Sequence, residues 1–179
     1  MFLLENIMAI SLNDSDHIQG PINALIELVE YGDYECPYCS KAYYIVKQIQ
    51  KELGCDLKFV FRNFPLTEMH PYALHAAIAA EAAAAQGKFW EMHDILFENQ
   101  EHLDDSYLLQ YAKAIGLDIK TFEEAFDKDE YYQKIKNDYS SGIDNGVEGT
   151  PTFYVNGKIY KGDWMDSKFL QDLKEIIRR

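Results

Sequence analysis

No lysine or arginine precedes Lys41. A secretory leader needs positive charge ahead of its apolar run, so residues 1–10, apolar but broken by Glu5, do not read as one. The expected location is cytoplasmic, or periplasmic or secreted if a leader has been removed. Long apolar runs are missing too. None approaches the ~18 residues of a transmembrane helix, so no membrane span is expected. Basic residues are few, 17 against 30 acids, for a formal net charge of −13. Phosphate backbones and anionic lipid surfaces are bound through basic patches, so this balance excludes nucleic acid and anionic membranes as partners. Cysteine is scarce. Three residues, an odd number, do not make the disulfide framework of a small secreted domain. Internal repeats and low-complexity linkers are absent as well.

What is present is an ordinary globular composition. The 179 residues are 47% hydrophobic and 26% charged, enough for one domain with its own core and too apolar for disorder. Residues 24–31 are almost continuously apolar up to Gly32-Asp33 and read as a strand. Pro37 stands where a helix start tolerates a missing N–H. Ala42, Ile45, Val46, Ile49 and Leu53 follow at helical spacing before Gly54. Residues 57–61 are a second strand. Strand, helix, strand in so short a stretch is a βαβ unit, with parallel strands and a right-handed crossover.

The middle of the chain differs in character. Nine alanines fall between Ala73 and Ala85, a strong helix signal, and further helices are expected at 88–98, 106–115, 119–126 and 130–141. Trp90, Leu96, Phe97, Leu108, Tyr111, Phe122 and Phe126 are the expected inward residues of this block. After Gly149-Thr150-Pro151, residues 152–155 read as a strand, Asn156-Gly157 as a tight hairpin turn and 158–160 as the return strand. A last helix covers about 167–178. The acid excess sits in residues 1–40 (seven acids, no base) and 67–139 (15 acids, six bases), and is mainly a solubility feature.

Chemistry concentrates at Cys36-Pro37-Tyr38-Cys39. Cys36 falls at the mouth of the first helix, where unpaired N–H groups and a partial positive charge stabilise a thiolate. Cys39 lies one turn further in, and burial should raise its pKa. Cys36 would then attack or be attacked, and Cys39 would resolve the mixed disulfide. Half of a zinc site is the competing explanation. Zinc needs two further ligands at suitable spacing, and Cys55 is alone, while His17, His70, His75, His93 and His102 include no i,i+4 pair. No metal is therefore expected. A Cys-x-x-Cys beside a βαβ pattern is instead a redox motif. Cys55 is expected to be a small, half-buried hydrophobe.

Two other features stand near that motif. Thr150-Pro151 directly precedes the third strand, a place where proline is also an ordinary strand-start residue. Glu30 lies six positions before Cys36 on the first strand. It either points to solvent or is buried behind the cysteines with a raised pKa, exchanging a proton with Cys39. The strand is apolar on both faces, so alternation does not choose between these.

Taken together, Glu30, Cys36-Pro37-Tyr38-Cys39, the stretch from Gly149-Thr150-Pro151 to Asn156-Gly157, and His70-Pro71 followed by the alanine run and Gly87-Lys88-Phe89-Trp90-Glu91-Met92-His93-Asp94 resemble the DsbA-like thiol–disulfide oxidoreductases of the thioredoxin superfamily. The likeness spans about residues 17–179 and is to a bacterial branch also found appended to sodium/proton antiporters. It implies an α/β thioredoxin fold, a mixed sheet flanked by helices with an all-helical insertion. The segments would be an extension over 1–20, the first half of the fold over 21–66, the insertion over 67–139 and the second half over 140–179. The resemblance further implies that Pro151 is cis, that Thr150 lies beside the Cys36 sulfur and pairs with an extended substrate, and that Glu30 is the buried acid. Pro37 and Tyr38 join Thr150 as substrate-binding residues, and Cys36 and Cys39 form the redox-active disulfide.

The expected function is exchange of disulfides with protein or peptide thiols, without a cofactor, using a redox partner protein or glutathione to reset the pair. The alternative is a non-catalytic, peptide-binding or chaperone-like module on the same fold. A glutathione-dependent isomerase or transferase is disfavoured by the second cysteine. Asp33 and Glu35 flank Cys36 with negative charge, which should oppose the thiolate and give a mild redox couple. The direction of exchange depends on the redox poise of the compartment.

Overall fold

In a computed structural model, which describes residues 9–178, the chain is organised around a five-stranded mixed sheet. The strands are β1 (His17–Gln19), β2 (Ile26–Gly32), β3 (Leu57–Asn63), β4 (Thr152–Val155) and β5 (Lys158–Ile159), in the order β1-β3-β2-β4-β5. β2 and β3 run parallel, with Glu30 opposite Phe61 and Gly32 opposite Asn63. β1 is antiparallel to β3, and β4 is antiparallel to both β2 and β5. The expected βαβ unit is therefore present, closed by α1 (Pro37–Leu53). The β4–β5 turn carries Asn156 and Gly157 at φ of 48° and 79°, the two left-handed residues that a tight hairpin requires.

Six more helices complete the fold: α2 (Ala73–Ala84), α3 (Phe89–Glu98), α4 (Asp105–Ala114), α5 (Ile119–Glu124), α6 (Asp129–Asp144) and α7 (Lys168–Ile177). Five of them, α2 to α6, lie between β3 and β4 in sequence. α2 is covered on nearly every side, with Ala76, Ala77, Ala79, Ala80, Ala82 and Ala83 all buried. Small side chains let the neighbouring helices approach closely and fill that space. The main core joins α1, α2 and α3 to one face of the sheet through Phe59, Phe61, Met92, Leu96 and Phe97. A second cluster on the other face gathers Val29, Tyr31, Val60, Phe64 and Tyr154.

Several details depart from the sequence reading. The stretch taken as an N-terminal extension contains β1, a three-residue strand too short to show a period of its own and held by its pairing with β3. The leader reading at residues 1–10 rests largely on residues 1–8, outside the described residues. Trp90 and Phe126 pack against the core as expected but stay half-buried, whereas Phe89 and His93 are fully interior. Cys55 is exposed rather than half-buried, because it falls in the short 3-10 turn Gly54–Asp56 that links α1 to β3.

Glu81 is the one charged residue of the alanine helix, and it is buried. It holds His17 of β1 at 2.9 Å and Asn63 of β3 at 2.7 Å, with Lys134 of α6 3.9 Å away. Lys134 in turn holds Asp138, which accepts the Asn63 N–H at 3.1 Å. Buried polar groups demand partners, and these partners tie β1, β3, α2 and α6 together behind the sheet end that carries the cysteines. Among the described residues no helix is long and apolar enough to cross a membrane.

Candidate active site

β2 ends at Gly32, and the chain turns through Asp33, Tyr34 and Glu35 into α1. Cys36 is the N-cap of that helix, with φ −71° and ψ 122°, and Pro37 is its first residue. This arrangement leaves the first N–H groups of the helix directed toward the Cys36 sulfur. Cys36 retains 4% of its surface and Cys39 none, so only Cys36 can meet an incoming sulfur. Pro37 and Tyr38 are exposed beside it, Tyr38 at 54%.

Both cysteines are free thiols, close enough for Cys39 to hydrogen-bond the Cys36 sulfur. That bond lowers the Cys36 pKa most. Burial works against it, while the Thr150 side chain and the backbone N–H groups of Cys39 and Tyr38 add to it, and the result is about 5. Burial pushes the Cys39 thiol well above its ordinary value, reinforced by its bond to Cys36 and by the charge of Glu30. The two thiols are thus strongly unlike.

Thr150 comes from the far end of the chain. The Cys36 thiol donates to its carbonyl oxygen at 3.4 Å, and the Thr150–Pro151 peptide bond is cis. The Thr150 hydroxyl is buried and, apart from the Cys36 sulfur, has no hydrogen-bond partner among the described residues. Glu30 sits on β2 between Phe61 of β3 and Phe153 of β4 and is 2% exposed. Of the two orientations left by the sequence, it takes the buried one. Burial, aided by the charge of Cys36, lifts its pKa to about 8. Its Oε1 has no hydrogen-bond partner among the described residues. Gly32 makes room for it: a Cβ there would strike the Phe61 ring and come within 3.2 Å of that oxygen.

Asp33 and Glu35 are both held in hydrogen bonds beside Cys36. Asp33 accepts the N–H groups of Glu35 and Leu66, both at 2.8 Å, and pairs with His70 at 2.7 Å. The Glu35 carboxylate accepts the Tyr72 N–H at 2.6 Å. These contacts leave both negative charges in place, but a Cys36 pKa of about 5 means that the groups favouring the thiolate outweigh them, which runs against the mild couple expected. Sequence reasoning also missed Gln100, which donates to the carbonyls of Tyr34 and Cys36 at 2.9 and 2.8 Å and braces the loop from the helical block. A lone glutamine after α3 carries no signal of that role, since the contact spans 64 residues.

The bacterial relatives of this sequence are long proteins. It is 43% identical over 151 residues, 84% of its length but 23% of the relative's, to a Na(+)/H(+) antiporter NhaA 3 of Salinispora tropica. It is 41% identical over 163 residues, 90% of its length and 27% of the relative's, to a Na(+)/H(+) antiporter NhaA 1 of Mycobacterium sp. strain KMS. The chain thus spans about a quarter of the curated relatives it matches, as the resemblance to a domain appended to antiporters implies.

Solved structures align over nearly the whole chain. Oxidised BdbD from Bacillus subtilis matches with a TM-score of 0.82 at 27% identity, over 92% of this chain and 94% of that one. A thioredoxin-like oxidoreductase from Silicibacter pomeroyi matches at 0.81 and 26%, over 93% and 94%. The thiol–disulfide exchange protein alpha-DsbA2 from Wolbachia pipientis, at 0.79 and 23% over 92% and 88%, shares the fold. The first two of these neighbours support oxidoreductase chemistry at the level of the family. A thioredoxin family model matches residues 12–177, and the chain belongs to the thioredoxin family.

Proposed function

We propose that the protein exchanges disulfides with protein or peptide thiols through the Cys36–Cys39 pair, and that its oxidised form is a disulfide donor. The observation that carries this reading is the split between the two thiols: Cys36 at about 5 and accessible, Cys39 strongly raised and buried. A stabilised thiolate favours the dithiol state and makes the corresponding disulfide more oxidising.

The geometry supports the following steps. A substrate thiolate attacks the Cys36 sulfur, the Cys36–Cys39 bond breaks, and Cys39 leaves carrying the electron pair. Glu30, protonated at neutral pH because its pKa is about 8, supplies the proton that Cys39 retains. A second substrate thiolate then attacks the substrate sulfur of the mixed disulfide, and Cys36 departs as a stable thiolate. The substrate has lost two electrons and gained a disulfide, and the enzyme holds them as a dithiol. In the reverse direction Glu30 takes the proton as Cys39 attacks. Thr150, Pro151, Pro37 and Tyr38 supply the surface for an extended substrate beside Cys36, with the Thr150 backbone as its pairing partner.

Titration against dithiothreitol should give a single two-electron transition, absent in Cys36→Ser, with a potential nearer about −120 mV than about −270 mV. A Cys36 unreactive toward alkylation at neutral pH would remove the basis of this reading.

A further inference from the structure

Asp33 touches both cysteines without using its side chain. Its N–H lies 3.4 Å from the Cys39 sulfur, and its carbonyl accepts the Cys36 N–H at 3.2 Å. The side chain, wholly removed from solvent, reaches the other way to the loop after β3, where it meets Leu66 and His70. A buried carboxylate three residues from Cys36 would by itself disfavour a second negative charge at that sulfur. Something must offset it for the thiolate to form.

His70 is placed to do so. Its N–H is tied to the Leu66 carbonyl at 2.9 Å, which fixes the ring where Nδ1 donates to Asp33 Oδ2 at 2.7 Å, and the side chain keeps 14% exposure. The ionisable groups that act on it are Asp33, Glu35 and Cys36, all from the loop between β2 and α1. Each of them is anionic when ionised and favours the imidazolium. Burial pulls the other way, and the anions prevail, so the net direction of its pKa is upward.

We propose that His70 is a positioning residue for Cys36: as the imidazolium partner of Asp33 it cancels the field of that buried carboxylate and lets the thiolate persist beside it. The role rests on the reading of Cys36 as the nucleophile. His70 acts through Asp33 and touches no substrate. It also explains why an acid can stand in the active-site turn of an oxidising enzyme.

The test is the pH profile of Cys36 alkylation in the reduced protein, for the native chain, His70→Gln, Asp33→Asn and the double variant. Glutamine keeps a donor toward Asp33 and loses the charge. The expected result for His70→Gln is a midpoint moved upward by about one unit, hence about fivefold slower alkylation at pH 5. In the double variant the profile should return toward the native one, because no carboxylate remains to be offset. A folded His70→Gln protein with the native profile would overturn the proposal. Should that variant fail to fold, the native protein supplies a second measurement by NMR titration of the His70 ring. Its midpoint must fall when the pair is oxidised and the thiolate disappears, and an unchanged midpoint also overturns the proposal. If the native profile itself shows no acidic midpoint, the nucleophile reading fails first, and the two failures are thereby told apart.

Discussion

The sulfur of Cys36 and the carbonyl oxygen of Thr150, 114 positions apart in sequence, lie 3.4 Å from each other. The start of α1 and the residues before β4 thus form one surface around the Cys36 sulfur. The Thr150 hydroxyl, otherwise without a partner among the described residues, contributes to the low Cys36 pKa. Thr150→Val removes the hydroxyl and keeps the shape and the carbonyl. Its thiolate midpoint, followed by absorbance near 240 nm, should move upward by less than one pH unit, since the Cys39 and backbone contributions remain.

Glu30 offers a kinetic prediction. In Glu30→Gln the buried carboxyl proton is lost while the volume is kept. The step that breaks or re-forms the bond to Cys39 should slow by about 10²-fold, in the range of general acid–base contributions. Attack at Cys36 by an external thiolate should be far less affected. Rapid-mixing measurements with a model dithiol separate the two phases, and equal slowing of both would count against the assigned role.

The same residue makes the stability of the fold depend on pH. In the fold Glu30 holds its proton up to about 8, whereas unfolded it would lose it near 4.3. Between those values the folded state binds more protons, so stability is full below the lower value and falls as pH rises. The slope is at most about 1.4 kcal/mol per pH unit. Urea unfolding of the oxidised protein, where the Cys36 charge is absent and burial alone holds the pKa up, should show this fall from pH 5 upward. Glu30→Gln should abolish it.

Cys36 titrates with the opposite sign. Its folded pKa of about 5 lies below the ordinary thiol value, so its contribution is present above the ordinary value and is lost as pH falls toward 5. Only the reduced form has this thiolate. The stability of the reduced form relative to the oxidised one should therefore increase from pH 5 to about 8.5. At pH 7 the oxidised form should unfold at the lower urea concentration. That ordering is the linkage counterpart of an oxidising disulfide: a fold that prefers the dithiol is weakened by the disulfide.

Local signals carried much of this into view from the sequence. Cys36-Pro37-Tyr38-Cys39 marks a helix start as well as a redox pair, and Asn156-Gly157 specifies its turn through two positive φ angles. The long-range features were silent. β1 is three residues whose order comes from β3, and Glu81 looks like a surface break in an alanine helix until His17 and Asn63 meet it. Glu30 could not be oriented by alternation because both faces of β2 are covered, and Phe61 and Phe153 decide the matter. Asp33 and Glu35 were legible as charges near Cys36, but not as hydrogen-bond acceptors for a loop more than thirty residues away.

The central claim is that Cys36 is a stable thiolate at neutral pH, and direct titration of that thiolate tests it. In the reduced protein, absorbance near 240 nm should rise by one thiolate with a midpoint near 5. The step should be missing in Cys36→Ser and in the oxidised form. Absorbance that stays flat until about pH 8.5, the ordinary range of a free thiol, would contradict the account.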